Sequence, residues 1–252
     1  MIKEPFSTGN SRIHYLDPRL KVIFATAYSF VVALSNRFPT LIAALMVSFV
    51  LIGLSRLDLF EVAKRVALVN GLIIFFWLVV PLTFFGEPLF HLGPLAVTRE
   101  GVLISARITL KSNAILLAFI ALIASSTVAT LGSALSRLRI PEKIIYLLLL
   151  NYRYIFVMED EYRRLLKSAA IRGFKPATNL HTYKTYAYLI GMLFVRASDR
   201  AERVYKAMLC RGFAGKFYSL HEFSFSRRDW IWLAAMTIAI IGLGVLEWVR
   251  IV

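Results

Sequence analysis

The chain has 252 residues, of which 58% are hydrophobic and 18% charged, and its mean hydropathy is +0.67. An ordinary soluble domain carries roughly 25% charged residues, so this composition argues against a soluble class and predicts a membrane protein. The net charge is +15, but the base-reading and strand-binding motifs of nucleic-acid-binding proteins are absent from the sequence. We therefore assign the basic residues to cytoplasmic loops that orient the helices and to contact with anionic headgroups, and we expect membrane lipids, but no nucleic acid, among the partners.

Five apolar segments are long enough, or nearly so, to span a bilayer, which takes about 20 residues. They cover about 20–36, 39–55, 66–85, 113–128 (extended backward through residue 104) and 231–249. Asp17 and Pro18 predict the cap and first residue of the first helix, and Pro81 predicts a kink near the end of the third. The first twenty residues are polar and mixed, so we expect an internal helix rather than a cleavable signal peptide to lead insertion.

The distribution of Lys and Arg predicts the orientation of the chain. Basic residues precede the first span, separate the second from the third, and precede the last, whereas the other short loops carry one each. The positive-inside rule then places the N-terminus in the cytoplasm and the C-terminus outside a multi-pass plasma (inner) membrane protein. Arg19 and Lys21 are expected to anchor the cytoplasmic end, and Arg107 and Lys111 to reach outer headgroups.

Residues 136–228 differ from the rest because they hold 18 of the 30 basic residues. The same rule makes this region cytoplasmic, although 143–158 and 185–195 are very apolar and are predicted to lie on, or dip into, the bilayer. Arg153 argues against a sixth span at 143–158. The sequence thus predicts an all-α membrane protein with about five transmembrane helices plus long amphipathic cytoplasmic helices, divided into 1–135 (four spans), 136–228 and 229–252.

Two segments in this region, 160–174 and 199–213, repeat with an offset of 39 residues. At 100° per residue each predicts an amphipathic helix, with i,i+4 pairs Asp160–Arg164 and Asp199–Arg203 on the charged face. The charged faces comprise Asp160, Arg164 and Lys167 in the first copy and Asp199, Arg203 and Lys206 in the second. The apolar faces comprise Tyr162, Leu165, Leu166, Ala169 and Ala170, and then Ala201, Val204, Tyr205, Met208 and Leu209.

Both copies end in Arg-Gly-Phe: Arg172, Gly173 and Phe174, then Arg211, Gly212 and Phe213. Gly in the left-handed conformation, followed by an apolar residue that folds back onto the last turn, is an ordinary helix terminus, and Arg suits the negative end of the helix dipole. Helix stability does not require the same three residues twice. Two equivalent cationic ends suggest docking on two equivalent acidic pockets, such as those of a symmetric dimer.

The paired motifs Ile171-Arg172-Gly173 and Cys210-Arg211-Gly212 resemble the signature of the T component of energy-coupling factor transporters, a class of ABC importers. The stretches 9–21 and 91–102 are also similar to that family, and 207–218 and the overall length look most like CbiQ, the T component of cobalt importers.

The resemblance implies that the long cytoplasmic helices are coupling helices and that Arg172 and Arg211 pair with carboxylates of an ABC ATPase dimer, which is CbiO-like in cobalt importers. Gly173 and Gly212 would allow close approach, with Ile171, Cys210, Phe174 and Phe213 beside them. ATP-driven motion would pass to a small membrane substrate-binding subunit, which is CbiM-like with or without a CbiN-like protein, for cobalt uptake and cobalamin biosynthesis. Nickel or a vitamin stays open as the substrate.

Other chemistry has little support in the sequence. No Walker A motif occurs, so the chain carries no expected cofactor and ATP is expected to bind the partner ATPase. His14, His91, His181 and His221 are scattered, which predicts no metal site, and Cys210 is expected to be a packed thiol. A lipid-modifying enzyme remains an alternative because Glu159, Asp160 and Glu161 cluster, although the trio is better interpreted as the acidic first turn of a helix. A scaffold without transport is the other alternative to a non-catalytic transporter subunit.

Overall fold

A computed structural model describes residues 11, 13, 16–83, 88–92, 95–137, 141–213 and 227–248. The described part contains eight helices and one short antiparallel hairpin, which confirms the predicted all-α membrane class. The elements are α1 (Pro18–Leu34), α2 (Phe38–Ser55), α3 (Leu59–Thr83), β1 (Pro88–Leu92), β2 (Leu95–Thr98), α4 (Arg99–Leu122), α5 (Val128–Arg137), α6 (Glu142–Ile171), α7 (Leu180–Cys210) and α8 (Arg227–Trp248).

The chain divides into two compact units. One contains α1–α4, the hairpin and α8, and the other contains α6 and α7, with the division falling inside α5 after Ala134. The predicted three-part topology in the bilayer (1–135, 136–228 and 229–252) stays a prediction.

Four described helices, α2, α3, α4 and α8, are long and apolar enough to cross a membrane. They correspond to the second to fifth predicted spans. The first predicted span is α1, which has 17 residues. It is one residue shorter than α2, the shortest of those four helices. Asp17 caps α1 as predicted, because its Oδ1 accepts a hydrogen bond from the Arg19 backbone N–H at 2.9 Å, and Pro18 is the first helical residue.

Buried hydroxyl groups hold α1, α2 and α4 together. The Tyr28 hydroxyl lies 2.7 Å from both the carbonyl oxygen of Ala44 and Oγ of Ser48. Ser48 in turn donates to the carbonyl oxygen of Ala114 at 2.7 Å. Polar groups that bond across helices are the usual link in a membrane interior, where burial of apolar surface does not drive helix association.

Lys21 and Lys111 differ from the predicted headgroup anchors. The Lys21 side chain is buried, with 1% exposed, and its Nζ donates to Oγ of Ser126 at 2.9 Å. Nζ of Lys111 donates to the carbonyl oxygen of Ala33 at 2.8 Å, so it caps the last turn of α1. Both amines therefore bond to protein oxygens supplied by a neighbouring element.

The fourth predicted span ends six residues early, at Leu122 instead of 128. Ser125 donates to the carbonyl oxygen of Leu122 at 3.1 Å, and the side chain of Thr127 accepts from the Thr130 N–H at 3.2 Å. These short hydroxyl side chains satisfy backbone groups that a continuing helix would use, so α4 stops and α5 begins.

The prediction that the acidic trio 159–161 forms the first turn of a helix is wrong, because the trio lies in the middle of α6. The predicted apolar stretch 143–158 and the first copy of the repeat form one continuous helix of 30 residues. The residues where they join (Phe156, Val157, Met158 and Glu159) include neither Gly nor Pro, so nothing interrupts the helix. The second copy likewise forms the last part of the 31-residue α7.

The close approach of α3 and α4 leaves no room for a side chain at one glycine, Gly101, and this can be tested by substitution. A Cβ at Gly101 would lie 2.6 Å from Cα of Pro81 and 3.0 Å from the Val80 oxygen, whereas a Cβ at Gly71 would meet nothing within 4 Å. We expect Gly101→Ala to lower unfolding stability by about 1–3 kcal/mol through overpacking. We expect Gly71→Ala to be neutral or up to about 1 kcal/mol stabilising. Thermal unfolding in mild detergent checks both, and equal behaviour of the two variants would contradict the close approach.

Candidate functional site

The two Arg-Gly-Phe segments form the same helix terminus. In the first copy, α6 ends at Ile171, Arg172 is the C-cap and Gly173 has φ +88°. The Gly173 N–H donates to the Ala170 oxygen at 3.0 Å, and the Phe174 N–H donates to the Ala169 oxygen at 3.1 Å. These two bonds define the Schellman motif.

The second copy repeats each feature. Arg211 is the C-cap of α7 and Gly212 has φ +78°. The Gly212 N–H donates to the Leu209 oxygen at 2.9 Å, and the Phe213 N–H donates to the Met208 oxygen at 3.0 Å. The predicted left-handed glycine is therefore confirmed at both ends.

The residues before each glycine lie at the surface of the described chain. Arg172 and Arg211 are exposed, and Ile171 is 78% exposed. The prediction of a packed thiol is wrong, because Cys210 is a free and exposed cysteine. It is the last residue of α7. Each end thus presents an uncovered side chain followed by a guanidinium group.

The phenylalanine of the first copy contacts the next helix. The Phe174 ring packs edge-on against Tyr186, with centroids 5.7 Å apart, and lies 6.4 Å from the ring of His181. Because only 172–179 separate α6 from α7, the start of α7 lies within reach of this ring. Phe213 is half-buried.

The predicted charged faces are exposed on both helices. This applies to all six residues, Asp160, Arg164, Lys167, Asp199, Arg203 and Lys206. The predicted i,i+4 ion pairs Asp160–Arg164 and Asp199–Arg203 do not form among the described residues. Those that form are Glu159–Arg163 at 2.6 Å and Glu202–Lys206 at 2.7 Å. Several acid–base spacings of four compete along one helix, and sequence alone does not choose among them.

The two predicted apolar faces differ in how far the chain itself covers them. On α6, Leu165 is buried, and Tyr162, Leu166 and Ala169 are half-buried, while Ala170 is exposed. On α7, Val204 and Met208 are half-buried, while Ala201, Tyr205 and Leu209 are exposed. The apolar face of α7 is therefore left mostly uncovered by the described chain.

Sequence reasoning missed Glu161, the residue that joins α6 to α7. Its side chain is 9% exposed and forms ion pairs with Arg196 and Arg200 of α7, the latter at 3.8 Å. The hydrogen bond from Arg196 holds the pKa of the Glu161 carboxyl below its ordinary value, and the charges of Arg164 and Arg200 act in the same direction. The sequence signal was a carboxylate on the apolar side of α6, one turn from Leu165.

Among the described residues, no three His, Cys, Asp or Glu side chains are grouped so that they could hold a metal ion. The acidic trio does not converge on one point either, because Glu159 pairs with Arg163 within α6 while Glu161 pairs across to α7.

Residues 9–220 match the CbiQ family, described as a cobalt transport protein. The chain is 30% identical over 218 residues to the energy-coupling factor transporter transmembrane protein EcfT of Streptococcus equi subsp. equi, covering 82% of this chain and 81% of that protein. It is 25% identical to the protein of the same name from Bacillus subtilis, over 98% of this chain and 95% of that one. An uncharacterized protein, MJ1571, of Methanocaldococcus jannaschii is 27% identical over 90% of this chain and 80% of its own length.

The two glycine caps can be tested separately from any partner. At positive φ an Ala costs about 1–2 kcal/mol, and because a Cβ at either position would meet nothing within 4 Å, the cost is conformational. We expect Gly173→Ala and Gly212→Ala each to raise the exchange rate of amides in the adjoining last helical turn about 5-fold or more. Gly191→Ala, in the interior of α7 with open space around it, is the matched control and should leave those amides unchanged.

The Glu161 contact predicts a pH dependence. Because the folded pKa lies below the ordinary value of about 4.3, the ion pair stabilises the α6–α7 contact fully above that pH. Its contribution is lost as pH falls through the lower, folded pKa. Hydrogen exchange corrected for intrinsic rates should show protection around 158–164 falling below about pH 4 in the parent chain and changing less in Glu161→Gln. Parallel pH profiles of the two proteins would contradict this.

Proposed function

This chain belongs to the CbiQ family of cobalt transport proteins, and on that premise we propose that it couples an ABC ATPase to a substrate-binding membrane subunit. The single observation that supports this most is the pair of matching, exposed Arg-Gly helix ends. The relatives named as energy-coupling factor transporter transmembrane proteins support membership of a transporter, with this chain as its non-catalytic membrane component.

Arg172 and Arg211 are proposed to dock on the two ATPase subunits. Each guanidinium follows the last turn of a helix of about 45 Å, so movement of the ATPase at one end is carried along a rigid rod. A planar guanidinium bonds a carboxylate in a bidentate manner, which fixes orientation as well as position. The left-handed glycine next to it carries no Cβ and allows another backbone to come close.

The uncovered apolar side chains of α7 are proposed to contact the substrate-binding subunit. Tyr188 and Phe194 are 74% and 73% exposed, and Tyr205 and Leu209 lie further along the same helix. Exposed apolar surface of this kind marks an interaction with protein or membrane. Motion of α7 driven from Arg211 would then reach that subunit directly.

The orientation and the substrate are also proposals. The helix ends face the cytoplasm, where ATP is available, with the N-terminus on the same side and the C-terminus outside. Cobalt is the proposed substrate because the matched family is described as a cobalt transport protein. Nickel or a vitamin would be carried by the same mechanism through a different substrate-binding subunit. The chain itself is proposed to hold neither metal nor ATP.

Charge reversal tests the docking. We expect Arg172→Glu or Arg211→Glu to weaken retention of the ATPase about 10-fold or more, because truncating or reversing one partner of an interfacial charge pair costs about 2 kcal/mol or more. The double variant should lose both the ATPase and uptake of radioactive cobalt.

The matched control is Lys64→Glu, which makes the same charge change at an exposed residue of α3, in the other compact unit. Retention is measured by purification in mild detergent, with identification of the proteins that accompany the tagged chain. Full ATPase recovery and uptake with the double variant would show that these ends do not dock.

A further inference from the structure

Glu161 carries a buried charge that two arginines of the neighbouring helix neutralise. Both belong to α7, one turn apart, and both reach the same carboxylate. A carboxylate buried without partners is costly, so this side chain constrains the position of α7 on α6 in addition to the Phe174–Tyr186 contact.

The contact has a second property, which comes from the repeat. Positions 161 and 200 differ by 39, the same offset that relates Arg172 to Arg211. Glu161 therefore contacts the residue equivalent to itself in the other copy. A local two-fold axis between the two copies would produce such a contact between equivalent positions.

The position of the Glu161–Arg200 contact determines how far each Arg-Gly end lies from the place where the two helices meet. Glu161 is 11 residues before Arg172, and Arg200 is 11 residues before Arg211. At 1.5 Å per residue, each end is about 16.5 Å along its helix from this contact, so the path from one Arg-Gly end to the other along the two helices is about 33 Å.

The two copies differ in sequence at the position where they contact each other, Glu161 in one and Arg200 in the other. Two identical charged residues on the axis would face each other and repel. Here one copy has Glu and the other Arg, so the self-contact becomes an attractive pair, and Arg196 adds a second donor.

We propose that Glu161 is a positioning residue that clamps the crossing of α6 and α7 and thereby sets the separation of the two Arg-Gly ends. The geometric part stands on the described contacts, and its consequence for ATPase docking rests on the proposed function. The partner that fits such a pair has two grooves at one fixed spacing, related by its own two-fold axis.

The chain offers a direct measurement of the separation. Cys210 is the one cysteine in the sequence and is exposed, and the equivalent position in the first copy, Ile171, is exposed too. Ile171→Cys therefore creates two equivalent spin-label sites in the full chain, and electron–electron double resonance in lipid nanodiscs reports the distance between them.

In this labelled background we expect a narrow distance distribution that Glu161→Gln broadens and shifts. Glu159→Gln is the matched control, since Glu159 lies on the same helix and pairs with Arg163 of that helix. It should leave the distribution unchanged. The exchange Glu161→Arg with Arg200→Glu should give a narrower distribution than Glu161→Arg alone, because it removes one of two unfavourable arginine contacts, and this distinguishes a clamp from general damage to folding. Identical distributions for Glu161→Gln and Glu159→Gln would overturn the proposal.

Docking is measured on the unlabelled variants. If Glu161→Gln leaves about a third of the molecules with the correct separation, the apparent affinity for the ATPase falls about 3-fold, and recovery falls with it. A broadened distribution with undiminished ATPase recovery would overturn the positioning role. Full recovery with the Arg172→Glu and Arg211→Glu double variant would instead refute the docking function, while leaving the measured clamp intact.

Discussion

The last carbonyl groups of a helix need hydrogen-bond partners, and the candidate site depends on how α6 and α7 meet this requirement. Both place a glycine at positive φ directly after an arginine, and the amides of the glycine and the next residue turn back onto the helix. The helical path therefore ends abruptly at each glycine. The side chain before the glycine is left projecting at the tip of a long rod, which is why Arg172 and Arg211 are exposed although they follow well-ordered turns.

A second constraint acts between α6 and α7, and it is the need to neutralise a buried carboxylate. The carboxylate of Glu161 lies on a face whose next turn carries the buried Leu165. Burial of a charge demands partners, and α7 supplies them with Arg196 and Arg200. A contact of this kind restricts sliding of one helix along the other more strongly than apolar packing does, because the geometry of an ion pair is specific.

The α7 helix exposes more apolar surface than a helix that packs only against its own chain. The α7 helix exposes aromatic residues such as Tyr188 and Phe194, and its charged face is exposed as well. A helix that leaves both faces uncovered gains little stability from its own chain, so partners or lipid are needed to account for its sequence. This agrees with membership of a family of multi-subunit transporters, as expected from the paired Arg-Gly motif.

Features that arise within about one helical turn could be predicted from the amino-acid order. The Asp17 cap and both left-handed glycines were predicted correctly, because local backbone sterics and nearby hydrogen bonds decide them. The apolar spans were predicted for a similar reason, since the bilayer requires long uninterrupted apolar helices.

Other features became visible only once the helices were packed together: Lys21 is buried, Cys210 is exposed, and Glu161 pairs with α7. Each of these depends on which face of one helix meets another. Residues far apart in the chain settle that choice through side-chain packing and through the neutralisation of buried charge, and the local sequence does not specify which residues of another helix supply the partners.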